Sequence, residues 1–443
     1  MKATLFLALA TVLPLFAAPA DVYLLRNATV HPISGPDLLA ASILIREGKI
    51  IEVGPRISAP KGAAVLDLKG LHVYPGLIDS ATELGLNEIS SLRETDDTGE
   101  LGSYNPQLHA AVAVNPASEH IPVTRVNGIT SAIVLPEADP GRRQFAGLLG
   151  GSQEPKYILG QGCLMNLDGW TWEEMAVRRS ALMLFALPAM PPGTSRFASM
   201  LGLNQATVTF AERKRRQEQQ SRQLSEFLEQ ARSYQKAKAS GAAALRTDLK
   251  FEAMLPVLEQ KLPVLIYAVR EKEIREAVQF AEKQKLKLVL AAVREPGSMA
   301  SELAAKRIPV IVGPTLALPL DEDDSYDSAS TLPGELVKAG VKIAFGSFGN
   351  QFARNLPYQA ANAVAFGLPY AEAMKALTIN PAEIWGVGDQ LGSIEAGKRA
   401  NLIITTGDPL ETKTQIKHLF INGKSVSLET KHTRLYEKYL NRE

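Results

Sequence analysis

The residues of this 443-residue chain with the chemistry to act on a substrate are few and scattered. Six histidines stand at positions 31, 72, 109, 120, 418 and 432, and there is one cysteine, Cys163. One cysteine excludes an intramolecular disulfide and any cysteine-rich zinc site. With no nearby histidine in sequence to activate it, Cys163 reads as a small packed residue. Gly346-Ser347-Phe348-Gly349 falls one residue short of a Gly-x-Ser-x-Gly nucleophile elbow, and no histidine sits on a matching strand end to serve Ser347. What remains are polar groups at the ends of apolar runs: Glu83, Tyr267, Arg270, Glu271, Arg294, Glu295, Ser347 and Asn350. Two arginines beside carboxylates have the means to grip an anionic or zwitterionic ligand through charge-assisted hydrogen bonds. The plainer expectation is that these charges pair with one another. A Glu83–Glu295 acid/base pair is conceivable by residue type alone.

The elements that must position these groups alternate. Residues 129–135, 264–269, 286–290, 308–312 and 341–345 read as strands, with helices expected at about 271–284, 300–306 and 335–339. Repeats of this length imply parallel strands with crossover helices, closed into a barrel or wound into an open sheet. Both ends of the chain are β-rich instead: 22–25, 42–45 and 49–53 at the start, then 400–405 and 416–421 leading to the hairpin turn Asn422-Gly423. Between them lies a charged helix over about 211–238, with Leu224, Phe227, Leu228, Ala231 and Tyr234 on one face. The acidic run Asp321-Glu322-Asp323-Asp324 lacks the glycine and distal glutamate of a calcium loop and reads as solvated.

Composition is that of an ordinary globular protein, 46% hydrophobic and 21% charged. A net charge of +1 supplies no global field toward nucleic acid or an anionic membrane. The N-terminus is a separate matter. Lys2, an apolar stretch to Phe16 and Ala18-Pro19-Ala20 have the order of a secretory signal peptide, which predicts an exported, periplasmic or secreted chain. The apolar run is shorter than the roughly 20 residues that span a bilayer.

Several segments in order carry a family resemblance: Pro75-Gly76-Leu77-Ile78-Asp79, Thr378-Ile379-Asn380-Pro381-Ala382, Gly392-Ser393-Ile394-Glu395-Ala396-Gly397-Lys398 and Gly407-Asp408-Pro409-Leu410. Together they resemble the metal-dependent amidohydrolase superfamily, of the imidazolonepropionase-like type. The resemblance implies an α/β fold: a (β/α)8 TIM-like barrel with a composite β-sandwich formed by both termini. The expected division is a signal peptide at 1–20, sandwich at 21–73, barrel at 74–395, sandwich again at 396–430 and a tail at 431–443. Such proteins hydrolyse amide-type C–N bonds with one or two divalent metals, such as zinc, whose bound water is acidified and whose charge polarises the carbonyl.

The resemblance also says where ligands belong, and those positions hold Ala81, Glu83, Val269, Ala292 and Phe348. Alanine, valine and phenylalanine side chains have no lone pair to offer a metal, and one carboxylate does not hold a catalytic zinc. Asn401, standing where the family has aspartate, departs in the same direction. His109 and His120 are the histidines with any claim to be displaced ligands; the others fall in the terminal sheets and tail. The expectation is a pseudoenzyme without metal, cofactor or catalytic residue, acting as a non-catalytic subunit or regulator of an active relative or as a homo-oligomer. The rival expectations are an atypical C–N hydrolase and a small-ligand binder, with Glu83, Tyr267, Arg270, Arg294 and Glu295 lining the old pocket.

Overall fold

The computed structural model of the chain describes residues 22–138, 155–188, 209–241 and 245–442. The signal-like segment lies outside the described residues. None of the described helices is long and apolar enough to cross a membrane.

Strands β1 (Val22–Val30), β2 (Leu38–Arg46), β3 (Lys49–Gly54), β4 (Ala64–Asp67) and β5 (His72–Pro75) open the chain. The last three strands, β14 (Leu402–Thr405), β15 (Ile416–Ile421) and β16 (Lys424–Ser425), return to the same sheet. The join is β14 against β5, antiparallel, in the order β16-β15-β14-β5-β1-β2-β3, with β4 paired to β1. Leu25, Val30, Ile43, Ile45, Val73, Leu402 and Phe420 pack as its core, so residues from both ends bury one another. On β1 Leu24, Leu25, Ala28 and Val30 are buried and Asn27 is exposed, while Ile50 is the buried residue of β3.

The central sheet runs β6 (Leu77–Thr82), β7 (Ile129–Val134), β8 (Ile158–Asn166), β9 (Ala176–Phe185), β10 (Val264–Tyr267), β11 (Leu288–Ala291), β12 (Val310–Val312) and β13 (Ile343–Phe345), in sequence order. Phe348 N–H donates to the Ala81 carbonyl at 2.7 Å, which brings the last strand back to the first as a TIM-like barrel. Every residue of β6, β7, β8 and β11 is buried, as expected of strands covered on both faces. Inside, Ile78, Ile133, Leu164, Leu265, Val289 and Ile311 meet in one apolar cluster, plugged by Trp385.

One strand breaks the expected parallel order. β8 is antiparallel to both β7 and β9. Its link to β9, residues 167–175, carries only a four-residue helix, Trp172–Met175. A parallel crossover needs a dozen residues or more, so the short link forces the reversal. The outer helices match their sequence signals closely: Glu271–Lys283, Met299–Ala305 and the long Phe210–Ala239, opened by a Thr209–Glu212 capping box. The helix expected at 335–339 begins earlier, at Ser328.

Candidate functional site

The C-terminal ends of β6 and β10–β13 converge on one cleft of about 1060 Å³. Glu83, Tyr267, Val269, Arg270, Ala292 and Arg294 line it, with Ser347 and Phe348 from the segment after β13. The sequence-derived site residues are therefore largely brought together; Glu295 stands at the rim beside Arg270.

The inner part of this mouth is apolar. Ala81 is fully buried, Ala292 and Phe348 are nearly so, and all three belong to the barrel's own apolar cluster. The Phe348 ring lies 6.4 Å from that of Tyr267. Tyr267 donates its hydroxyl to the Ala138 carbonyl at 3.1 Å. Ala292 and Phe348 both have positive φ, +58° and +56°, a region that side-chain-bearing residues enter at a cost. Glu83, buried to 1% exposure, is the one carboxylate among the five positions.

The outer part is charged and internally paired. Arg270 donates to Asp321 at 2.6 Å and lies 3.8 Å from Glu295. Arg294 donates to the Leu318 carbonyl at 2.7 Å, and partial burial pulls its pKa down. Burial raises the Glu295 carboxyl against the pull of Arg270. The acidic run 321–324 is largely exposed, as expected of a solvated loop; Asp321 also accepts from Arg270, and Asp324 accepts from the backbone N–H groups of Leu320 and Asp321. Sequence spacing gave no signal of this, because 51 residues separate the partners. Glu295, Asp321 and Asp324 place carboxylate oxygens within 4.8 Å of one another, an oxygen-rich group on the rim with a guanidinium already seated on it. Since Arg270 and Asp321 are about half exposed, the pair contributes under about 1 kcal/mol. Arg270→Ala is expected to shift the urea midpoint by no more than that allows.

Other sequence candidates lie elsewhere. Ser347 Oγ donates to the Gly349 carbonyl at 3.1 Å, so it is held as a turn residue. His31 bridges Asp37 at 2.8 Å and His72 at 2.9 Å and stacks on Tyr74, all at the terminal sheet. His120 Nε2 meets the Glu88 carbonyl at 3.0 Å, and neither His109 nor His120 lines the mouth. Cys163 is fully buried, and burial pushes its thiol up to about 12. Asn401 holds two parts of the fold together. Its amide donates to Asn166 Oδ1 at 2.8 Å and Ser131 Oγ at 3.1 Å, while its oxygen accepts from Asn422 N–H.

One residue that sequence reasoning passed over is Asp79. It is fully buried on β6, and burial raises its carboxyl to about 7 even though Oδ1 accepts from Ala81 N–H at 3.1 Å and Ser347 N–H at 3.0 Å. Oδ2 is buried without a hydrogen-bond partner among the described residues.

Residues 315–426 match the amidohydrolase family. An amidohydrolase, tasK, of Hapsidospora irregularis is 22% identical over 397 residues, covering 86% of this chain and 39% of that protein. An imidazolonepropionase of Porphyromonas gingivalis is 38% identical over 74 residues, 16% of this chain and 18% of that enzyme. The chain thus spans well under half the length of these curated relatives. The crystal structure of an amidohydrolase from Thermotoga maritima MSB8 superposes with a TM-score of 0.76 at 27% identity, over 91% of this chain and 99% of that one.

Proposed function

We infer, from a chain with the amidohydrolase fold and an amidohydrolase-family segment at residues 315–426, that it is an exported protein whose metal centre has been lost and that it serves as a non-catalytic subunit or regulator of an active relative. The observation that carries this reading is the replacement set at the mouth: Ala81, Ala292 and Phe348 have joined the apolar core, Val269 adds hydrocarbon, and Glu83 alone offers oxygen. A catalytic zinc requires about three protein ligands, and no rotamer change gives these side chains a lone pair. The residues present therefore do not fit the family's metal. The rim carboxylates are a poor substitute, since a cation at Asp321 must first displace Arg270.

The test is elemental analysis of the purified mature chain together with an amidase panel. The expected result is no stoichiometric divalent metal and no turnover sensitive to a chelator. Stoichiometric zinc that leaves together with activity overturns the reading. Zinc that binds but is lost in Asp324→Asn, with no turnover, assigns it to the rim and leaves the barrel interior metal-free.

The cleft itself favours a second reading, retention of a small-ligand site. Its support is the volume of about 1060 Å³ with Arg294 reaching into it and carrying no carboxylate ion pair among the described residues. On that reading Arg294→Ala abolishes a thermal shift induced by an anionic ligand.

A further inference from the structure

A second cleft, of about 620 Å³, lies at the opposite end of the strands, between the β8–β9 pair and the helix Leu249–Leu258. Leu249, Ala253 and Pro256 recur at helical spacing and give it one apolar wall with Glu252 among them. The facing wall is polar: Gln107, His109, Gln161, Arg178, Arg179 and Ser180. Among the described residues Arg178 donates to the carbonyls of Trp385 and Gly386, at 3.0 and 3.3 Å. Arg179 lies 5.3 Å over the Trp172 ring. Among the described residues neither arginine has a carboxylate within ion-pair distance. Glu252 does not compensate them, since it already accepts from Tyr234 at 2.5 Å and from Lys238 at 2.6 Å. Lys261 at the margin is paired with Glu259.

Two buried polar atoms of residues on this wall, Gln107 Oε1 and His109 Nδ1, have no hydrogen-bond partner among the described residues. Both atoms are closed off from solvent, so the surface that the cleft offers a ligand is that of the two arginines and the apolar helix face. The positive charge selects an anion, and the apolar helix face selects a carbon body of ring size.

We propose that this cleft binds a small organic carboxylate, with Arg179 and Arg178 on the carboxylate and the apolar body against Leu249, Ala253 and Pro256. The site is independent of the mouth and of whether the barrel keeps a metal. The probe is N-benzoylglycine, titrated calorimetrically into the full mature chain, with neutral N-benzoylglycinamide as the control. Arg179→Gln is expected to weaken binding about tenfold or more. Binding that survives Arg294→Gln, which removes the arginine of the mouth, is assigned to this cleft. Arg179 is exposed and, among the described residues, its charge lies over the Trp172 ring, so an unchanged melting temperature certifies that its variant is folded. Absence of N-benzoylglycine binding, equal binding of the neutral amide, or loss in Arg294→Gln in place of Arg179→Gln overturns the proposal.

Discussion

Phe348→Ala is expected to destabilise the protein by about 3–5 kcal/mol, the usual cost of deleting a buried aromatic ring. The ring is 5% exposed and fills the mouth between Ala81, Ala292 and Tyr267. Its backbone N–H holds β13 to β6 through the Ala81 carbonyl, so the packing and the closure of the barrel meet at one residue. The backbone sets a second, opposing effect. At φ +56° a residue with a Cβ is strained by about 1–2 kcal/mol, which glycine escapes. Phe348→Gly is therefore expected to be less destabilised than Phe348→Ala by about 1 kcal/mol, although it deletes one more carbon. Phe348→Asp restores the family's acid but places a carboxylate among hydrocarbon. It is expected to lose at least as much stability as the alanine variant and to gain no chelator-sensitive hydrolysis. Urea denaturation orders the three variants, and the amidase panel reads the last. Metal-dependent turnover in Phe348→Asp shows that the remaining ligands persist and overturns the loss of the metal centre.

The barrel and its site were legible in the sequence to different depths. Strand positions at 129–134, 264–267, 288–291 and 343–345 follow from apolar runs bounded by turn residues, and the helices from 3.6-residue spacing, because both patterns are local. The Pro75-Gly76-Leu77-Ile78-Asp79 segment put the first strand in register and hence named Ala81 and Glu83 as strand-end positions. The reversal of β8 was not legible from periodicity, since a fully buried strand reads alike in either direction; only the short link 167–175 held that information. The pairing of Arg270 with Asp321 was hidden for another reason: it depends on how a rim loop folds back, and residue type alone makes an acidic run look solvated. The structural role of Asn401 was hidden for the same reason: its three side-chain hydrogen bonds tie the barrel strands to the terminal sheet across residues far apart in sequence.

Asp79 carries the second large effect, on the pH dependence of stability. Its carboxyl is raised to about 7 in the folded chain, foremost because burial removes it from water, against hydrogen bonds from Ser347 and Ala81 that favour the charged form. In an unfolded chain it titrates near the ordinary 3.8. Between those values the folded state keeps a proton that the unfolded state has released, so each rise in pH favours unfolding. The contribution is constant below about 4, falls through the interval, and levels off above about 7, an upper span of about 4 kcal/mol at 1.36 kcal/mol per pH unit. Asp79→Asn keeps an oxygen for the Ala81 and Ser347 N–H groups but cannot titrate. Its absolute stability is uninformative, because its amide N–H groups meet the same partnerless space as Oδ2. The slope is the readout. The difference in unfolding free energy between wild type and Asp79→Asn is expected to shift steadily against the wild type from pH 4.5 to pH 7. Parallel curves across that range show that the carboxyl is already ionised when folded. A charged Asp79 on β6 would in turn be stabilised by a cation nearby, which links this measurement to the metal analysis: a flat difference together with bound zinc points to a living centre, and a sloping one without zinc to a barrel sealed by its own hydrocarbon.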